Sequence, residues 1–148
     1  MAVLEPRLQL FDQDPATGSL DGDLLALMLI LGETSALSEW QAVRRAVAST
    51  SDELKELKEL KELKELVDTV NDRALGAFRR AFDRARSRGE VRPTDDTEMI
   101  AHLAFFGVWV WAETHERTTS EDECRRILRV VLAPLGRSTP APPAGTDG

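Results

Sequence analysis

A single cysteine, Cys124, in 148 residues excludes an internal disulfide framework and any metal site built from cysteines. Histidine is almost as scarce. His102 and His115 stand thirteen positions apart, which is not the spacing of a metal-binding pair on a helix. A Gly-rich phosphate loop and a Gly-x-Ser-x-Gly elbow are both missing. Asp and Glu are plentiful, but they stand mostly at helix starts or inside a repeat. The sequence therefore predicts no enzyme: no catalytic residue, no metal and no cofactor. No apolar run reaches the roughly 18 residues that mark a membrane span. The longest are Leu24 to Leu31 and Met99 to Ala112, and the second contains His102. The N-terminus lacks the basic region and apolar core of a secretory signal. The compartment expected is the cytoplasm, with no membrane partner.

Strand-like alternation and hairpin signals are absent too, so the expected fold is all-α. The length suffices for one domain with a real core, and 42% hydrophobic content is ordinary for a soluble protein. Formal net charge is -7, whereas a domain that grips nucleic acid usually shows a basic stripe. Basic residues do cluster at Arg79, Arg80, Arg84, Arg86, Arg88 and Arg92. Cations there complement the dipole at a helix C-terminus, and no direct nucleic-acid binding is expected.

A short helical piece (Val3, Leu4, Leu8, Leu10) passes into the loop from Asp12 to Gly18. Ser19 is an N-cap for a helix over Leu20 to Leu31, which Gly32 is expected to end. That helix is apolar nearly all round after Asp23 and should be buried. Thr34 or Ser35 starts another through Trp40, Val43 and Val47. Thr50 to Glu53 fits a capping box for a helix reaching about Arg88, on the order of 54 Å long if unbroken. A bend within it is expected.

Its first half repeats Glu-Leu-Lys from Glu53, with leucines at 54, 57, 60, 63 and 66. A period of three lags the helical ~3.6 by about 60° per leucine, so the leucines sweep most of the way round. This is no heptad coiled coil; it reads as a helix lengthened into solvent or a helix for a partner. The second half is properly amphipathic through Val67, Val70, Ala74, Ala77, Phe78, Ala81 and Ala85, widened by Leu75 and Phe82. Gly89 then allows the left-handed turn that closes a helix, Val91 plugs the core, and Pro93 stops continuation. Thr94 or Asp95 is expected to cap the next helix.

That helix, Glu98 to about His115, is apolar on both faces and must be covered on both. One side can face its own domain; the other needs a second element or a second subunit. His102, mid-helix among apolar residues, is either a core histidine satisfied by a hydrogen bond or a polar contact inside a ligand cavity. Trp40, Phe78, Phe82, Phe105 and Trp109 are the aromatic candidates for lining that cavity, with Phe106 and Trp111 further aromatics for the same space. Pockets in bundles form between helices and are mostly apolar with few polar anchors. Ser120 to Glu123 is a capping box for the last helix, whose stripe runs Cys124, Ile127, Leu128, Val131, Leu132 and Leu135 before Gly136.

Three stretches in order carry a resemblance: Thr17-Gly18-Ser19-Leu20-Asp21-Gly22-Asp23-Leu24-Leu25-Ala26-Leu27, the corner from Arg79 to Pro93, and the helices between Asp95 and Gly136. Together they resemble the C-terminal regulatory domain of tetracycline-repressor-family (TetR) transcriptional regulators. The resemblance implies a helical bundle with one long helix, here carrying the Glu-Leu-Lys repeat. It divides the chain into a remnant helix and loop (1–18) and a regulatory domain (19–136), while the Pro/Gly/Ser/Thr-rich composition of 137–148 reads as a disordered tail. In that family the domain binds a small effector and dimerises through its last two helices, as a four-helix bundle with those of a second subunit. A homodimer through Phe106, Val110, Ile127, Leu128 and Val131 and a small apolar effector are thus implied. The family's DNA-binding unit has no counterpart before Ser19, so the chain is expected to lack one. The alternative is a structural or protein-interaction domain, acting through the exposed Glu-Leu-Lys helix or by heterodimerising with a full-length regulator.

Overall fold

A computed structural model of the chain describes residues 4–48 and 58–135. The elements are α1 (Leu4–Asp12), α2 (Leu20–Ser35), α3 (Ser38–Ala48), α4 (Lys58–Ser87), α5 (Thr97–His115) and α6 (Glu121–Leu132). The described residues form an all-α bundle with no strand. At its centre is α2, which packs against each of the other five helices. That role follows from its sequence, because a helix apolar nearly all round has no face to give to water.

Gly32 does not end α2, which continues to Ser35. The glycine is there for packing: a Cβ on it would lie 3.3 Å from Thr119 Cβ and 3.5 Å from the Thr119 backbone N and O. Thr34 lies within α2, its hydroxyl donating to the Ile30 carbonyl at 2.7 Å, and α3 starts at Ser38 rather than at Thr34 or Ser35. The cap of α5 is also displaced. Asp96, not Thr94 or Asp95, accepts from the Met99 N–H at 3.1 Å. Asp95 is used one turn earlier, accepting from the Arg92 N–H at 2.7 Å to close the bend around Pro93. Ser120 and Glu123 form the expected capping box of α6.

Helix α4 is uninterrupted over its 30 described residues. Its end follows the sequence reading. Gly89 has φ +80°, Glu90 N–H donates to Ala85 O at 2.9 Å and Gly89 N–H to Arg86 O at 3.0 Å, the paired bonds of a Schellman closure. Val91 is buried behind it. In the described part of the repeat, Leu63 and Leu66 pack half-buried against the core, as does Val67. The Thr50–Glu53 capping box, the start of the repeat and residues 136–148 lie outside the described residues.

One buried charge locks the N-terminal loop to the bundle. The Asp23 side chain, 1% exposed, accepts from the Thr17 hydroxyl at 2.7 Å and the Thr17 N–H at 3.0 Å. Arg84 approaches it at 3.3 Å and Arg88 at 3.7 Å. Burial opposes its charge, but the Thr17 donors and the Arg84 guanidinium outweigh burial and hold the carboxyl below its ordinary range. Glu90, bonded to Arg88, accepts from the Leu20 N–H at 3.1 Å, so the α4–α5 corner caps the start of α2.

Asp23→Asn removes this charge and should cost about 2 kcal/mol in urea unfolding at neutral pH. The folded pKa lies below the ordinary value of ~3.9. The contribution is therefore whole above that value and is lost as pH falls through the folded pKa. The difference in midpoint between wild type and variant should be flat between about pH 7 and about pH 5 and close below about pH 4.

Candidate functional site

Helix α5 has two apolar faces, and they meet different surroundings. On the inner face Ile100, Ala101, Ala104, Phe105, Val108 and Ala112 are buried against α2 and α4. Phe105 meets Phe78 edge-on at 6.2 Å and Trp109 at 5.8 Å. On the outer face Met99, Leu103, Phe106 and Val110 are 55%, 50%, 44% and 51% exposed. Their spacing of four, three and four residues puts them in one stripe along the helix.

Beside the stripe runs a groove of about 590 Å³ between α5 and α6, lined chiefly by Met99, Leu103, Gly107, Trp111, Ile127, Val130 and Val131. Gly107 is its narrow point, since a Cβ there would lie 2.9 Å from Ile127 Cγ2. One end holds Asp95 and Asp96, the other Glu123 and Arg126. The Trp111 indole N–H donates to Glu123, whose carboxyl is also bound by both Arg117 terminal nitrogens at 2.6 and 2.8 Å. Arg117 and the Ser120 N–H keep that carboxyl far below the usual range.

Under the inner face is a second cavity. It holds only about 10 Å³ and is lined by Trp40, Phe105 and Trp109 with Phe11, Leu31, Thr34, Ser35, Val70, Asn71 and Ala74. That is about the room of one water molecule. Across its α3 side Arg44 lies over the Trp109 ring, 4.1 Å from the centroid, and pairs with Glu113 at 2.7 Å.

A family model described as Tetracyclin repressor-like, C-terminal domain matches residues 14–131. The chain belongs to that family. No curated protein and no solved structure matches it.

Of the six pocket candidates in this regulatory domain, Trp40, Phe105 and Trp109 come together around the small cavity. Phe78 and Phe82 are fully enclosed in the core, away from the cavity lining. His102 is half-buried on the flank of α5. Its Nδ1 is 2.8 Å from the Glu98 carbonyl of its own helix, and its ring lies 6.3 Å from Phe106. Trp111 faces the outer groove rather than the aromatic space.

Of the interface candidates, Phe106 and Val110 stand on the exposed stripe, and Ile127 and Val131 line the groove. Leu128 turns the other way and is buried, on the α2 side of α6. Thr34, Ser35 and Asn71 are polar cavity neighbours that the aromatic pattern did not indicate. Met99 and Leu103 were readable from their register with Phe106 and Val110.

The corner arginines are all engaged. Arg79 pairs with Glu98 at 2.6 Å, Arg80 with Asp14 at 2.8 Å, Arg84 and Arg88 with Asp23, Arg86 with Asp83 and Arg92 with Asp95. They close the fold onto itself and leave no unpaired basic stripe at this corner. Cys124 is buried, and burial pushes its thiol up to about 11. Among the described residues no cluster of His, Cys, Asp or Glu could hold a metal, and no helix is long and apolar enough to cross a membrane.

Phe105→Ala should lower stability by about 3–5 kcal/mol in urea unfolding, as a buried ring lost from a packed interior does. His102→Ala, which loses only a contact within its own helix, should change it by less than about 0.5 kcal/mol. A large cost for His102→Ala would show that its ring has a buried role.

Proposed function

We propose that this chain is the effector-binding and dimerisation domain of a TetR-like transcriptional regulator, with the two activities on opposite faces of α5. The observation that carries the dimer is the stripe of Met99, Leu103, Phe106 and Val110 on the outer face, all at least 44% exposed. It continues across the groove to Val130, which is 72% exposed. A monomer in water has no use for an apolar surface of this continuity. The partner that fits is a second copy, because a two-fold interface uses the same patch twice. Two α5–α6 pairs brought together in this way make a four-helix bundle. Phe106, Val110, Ile127 and Val131 would sit in its interior, while Leu128 would stay in the core of each subunit.

The effector half of the reading rests on the cavity bounded by Trp40, Phe105 and Trp109. Its walls are mostly apolar with a few polar groups, the character of small-molecule sites between helices. At about 10 Å³ it has room for a ligand only if it enlarges. A ligand that fits only an enlarged cavity favours the arrangement of helices that provides it. In a regulator, that shift is what would reach the DNA-reading part. The cytoplasm is the compartment that fits such a role.

Sedimentation equilibrium tests the dimer. Wild type should sediment as a dimer at micromolar concentration. Phe106→Glu should weaken it by about 30-fold or more, as loss of a ~2 kcal/mol hot spot does, with the far-ultraviolet helix signal unchanged. A wild-type chain that is monomeric at high concentration would end the dimer reading.

A further inference from the structure

One side of the small cavity is formed by a lightly buried helix. Helix α3 supplies its Trp40 wall, yet α3 buries only Trp40 and Val43. It packs on α4 and α2, and its polar tie to α5 is one arginine used twice: Arg44 covers the Trp109 ring at 4.1 Å and reaches Glu113 at 2.7 Å. A guanidinium stacked on an indole and paired with a carboxylate is a directional contact, made in one placement of the helix and lost in others. Closure also leaves polar atoms unserved. Glu39 Oε1 and Arg44 Nη1 on α3, and Trp109 Nε1 on α5, are buried with no hydrogen-bond partner. Buried polar atoms are normally paired, and three of the six unpaired ones among the described residues lie at this junction.

We propose that α3 is a gate over the cavity, that Arg44 is its latch, and that the site takes an uncharged, largely apolar ligand bearing a hydrogen-bond acceptor. The inference rests on the effector-binding reading above. The ligand is uncharged because the lining itself holds no ionisable side chain, its polar neighbours being Thr34, Ser35, Asn71 and Trp109, and the one cation at its α3 edge, Arg44, is already paired with Glu113. It carries an acceptor because the Trp109 indole is a donor only and lacks one. The cavity has no room for such a molecule until α3 moves, so the latch lowers the apparent affinity by the fraction of time the gate is open.

The test compares wild type with Arg44→Gln and Glu113→Gln. Glu113 is an exposed carboxylate at 45%, so its variant removes the ion pair without touching the core. The probe is Prodan, an uncharged naphthyl ketone whose emission reports an apolar site. In both variants, amide hydrogen exchange over 38–48 should quicken by about tenfold while α2 is unchanged. Prodan should bind about fivefold or more tighter than to wild type. Trp109→Phe, which keeps the wall and removes the donor, should weaken Prodan. Unchanged exchange with Prodan bound equally by all the proteins would overturn the latch and leave the effector reading standing. Faster exchange at α3 with no Prodan binding by any of them would overturn the effector site and leave the latch.

Discussion

Helix α5 must be covered on two sides, and a single small bundle can cover only one. Its inner residues, Ile100 through Ala112, fill the space against α2 and α4. Met99, Leu103, Phe106 and Val110 are then forced outward by helical geometry, because no rotation of a helix apolar all round hides both faces at once. The other helices accommodate this demand. In α4 the small residues Ala74, Ala77, Ala81 and Ala85 are buried alongside Phe78, whose ring meets Phe105 of α5 edge-on. In α2, Gly32 gives way to the α5–α6 connection at Thr119. That connection is held by the Thr119 hydroxyl donating to the Val108 carbonyl at 3.1 Å.

The two faces are also in contact with one another. Trp109 forms a wall of the inner cavity and stacks on Phe106 at 5.6 Å with the ring planes 28° apart. Phe106 belongs to the outer stripe. A ligand that displaced Trp109 would press on a residue of the proposed interface without any relay through distant helices. The charged corner supplies the fixed frame for such a movement. Asp23, Glu90 and the arginines of α4 join the N-terminal loop, the start of α2 and the α4–α5 bend. The proposed α3 gate lies outside that charged frame.

Much of this was legible in the residues. The six helices, the Schellman closure at Gly89 and the Ser120 capping box follow from local chemistry, and local chemistry is what a sequence displays directly. Two-sided apolarity of α5 pointed to the uncovered face for the same reason. The misplacements have a common cause. Gly32 looks like a helix stop unless Thr119, 87 positions later in the chain, is known to lie against it. Asp95 reads as the cap until the Arg92 N–H is known to engage it, which leaves the role to Asp96. Leu128 and Val131 share one apolar stripe, and only the position of α2 turns Leu128 inward. His102 sat among aromatics in sequence and stands on the flank in space, since one helical position separates the inner Ala101 from it. The polar neighbours Thr34 and Asn71 come from two helices whose approach is a tertiary fact.

The central claim is that the outer faces of α5 and α6 meet a second copy of the same faces. Isotope-filtered NMR on a mixture of labelled and unlabelled chains reads this directly. Contacts between subunits should appear at the methyl groups of Leu103, Val110, Ile127 and Val130. They should be absent at Leu24, Leu27 and Leu128, which belong to the interior of each subunit. Intersubunit contacts confined to α1 or α3, or none at the α5 and α6 methyls in a sample shown to be dimeric, would contradict the account.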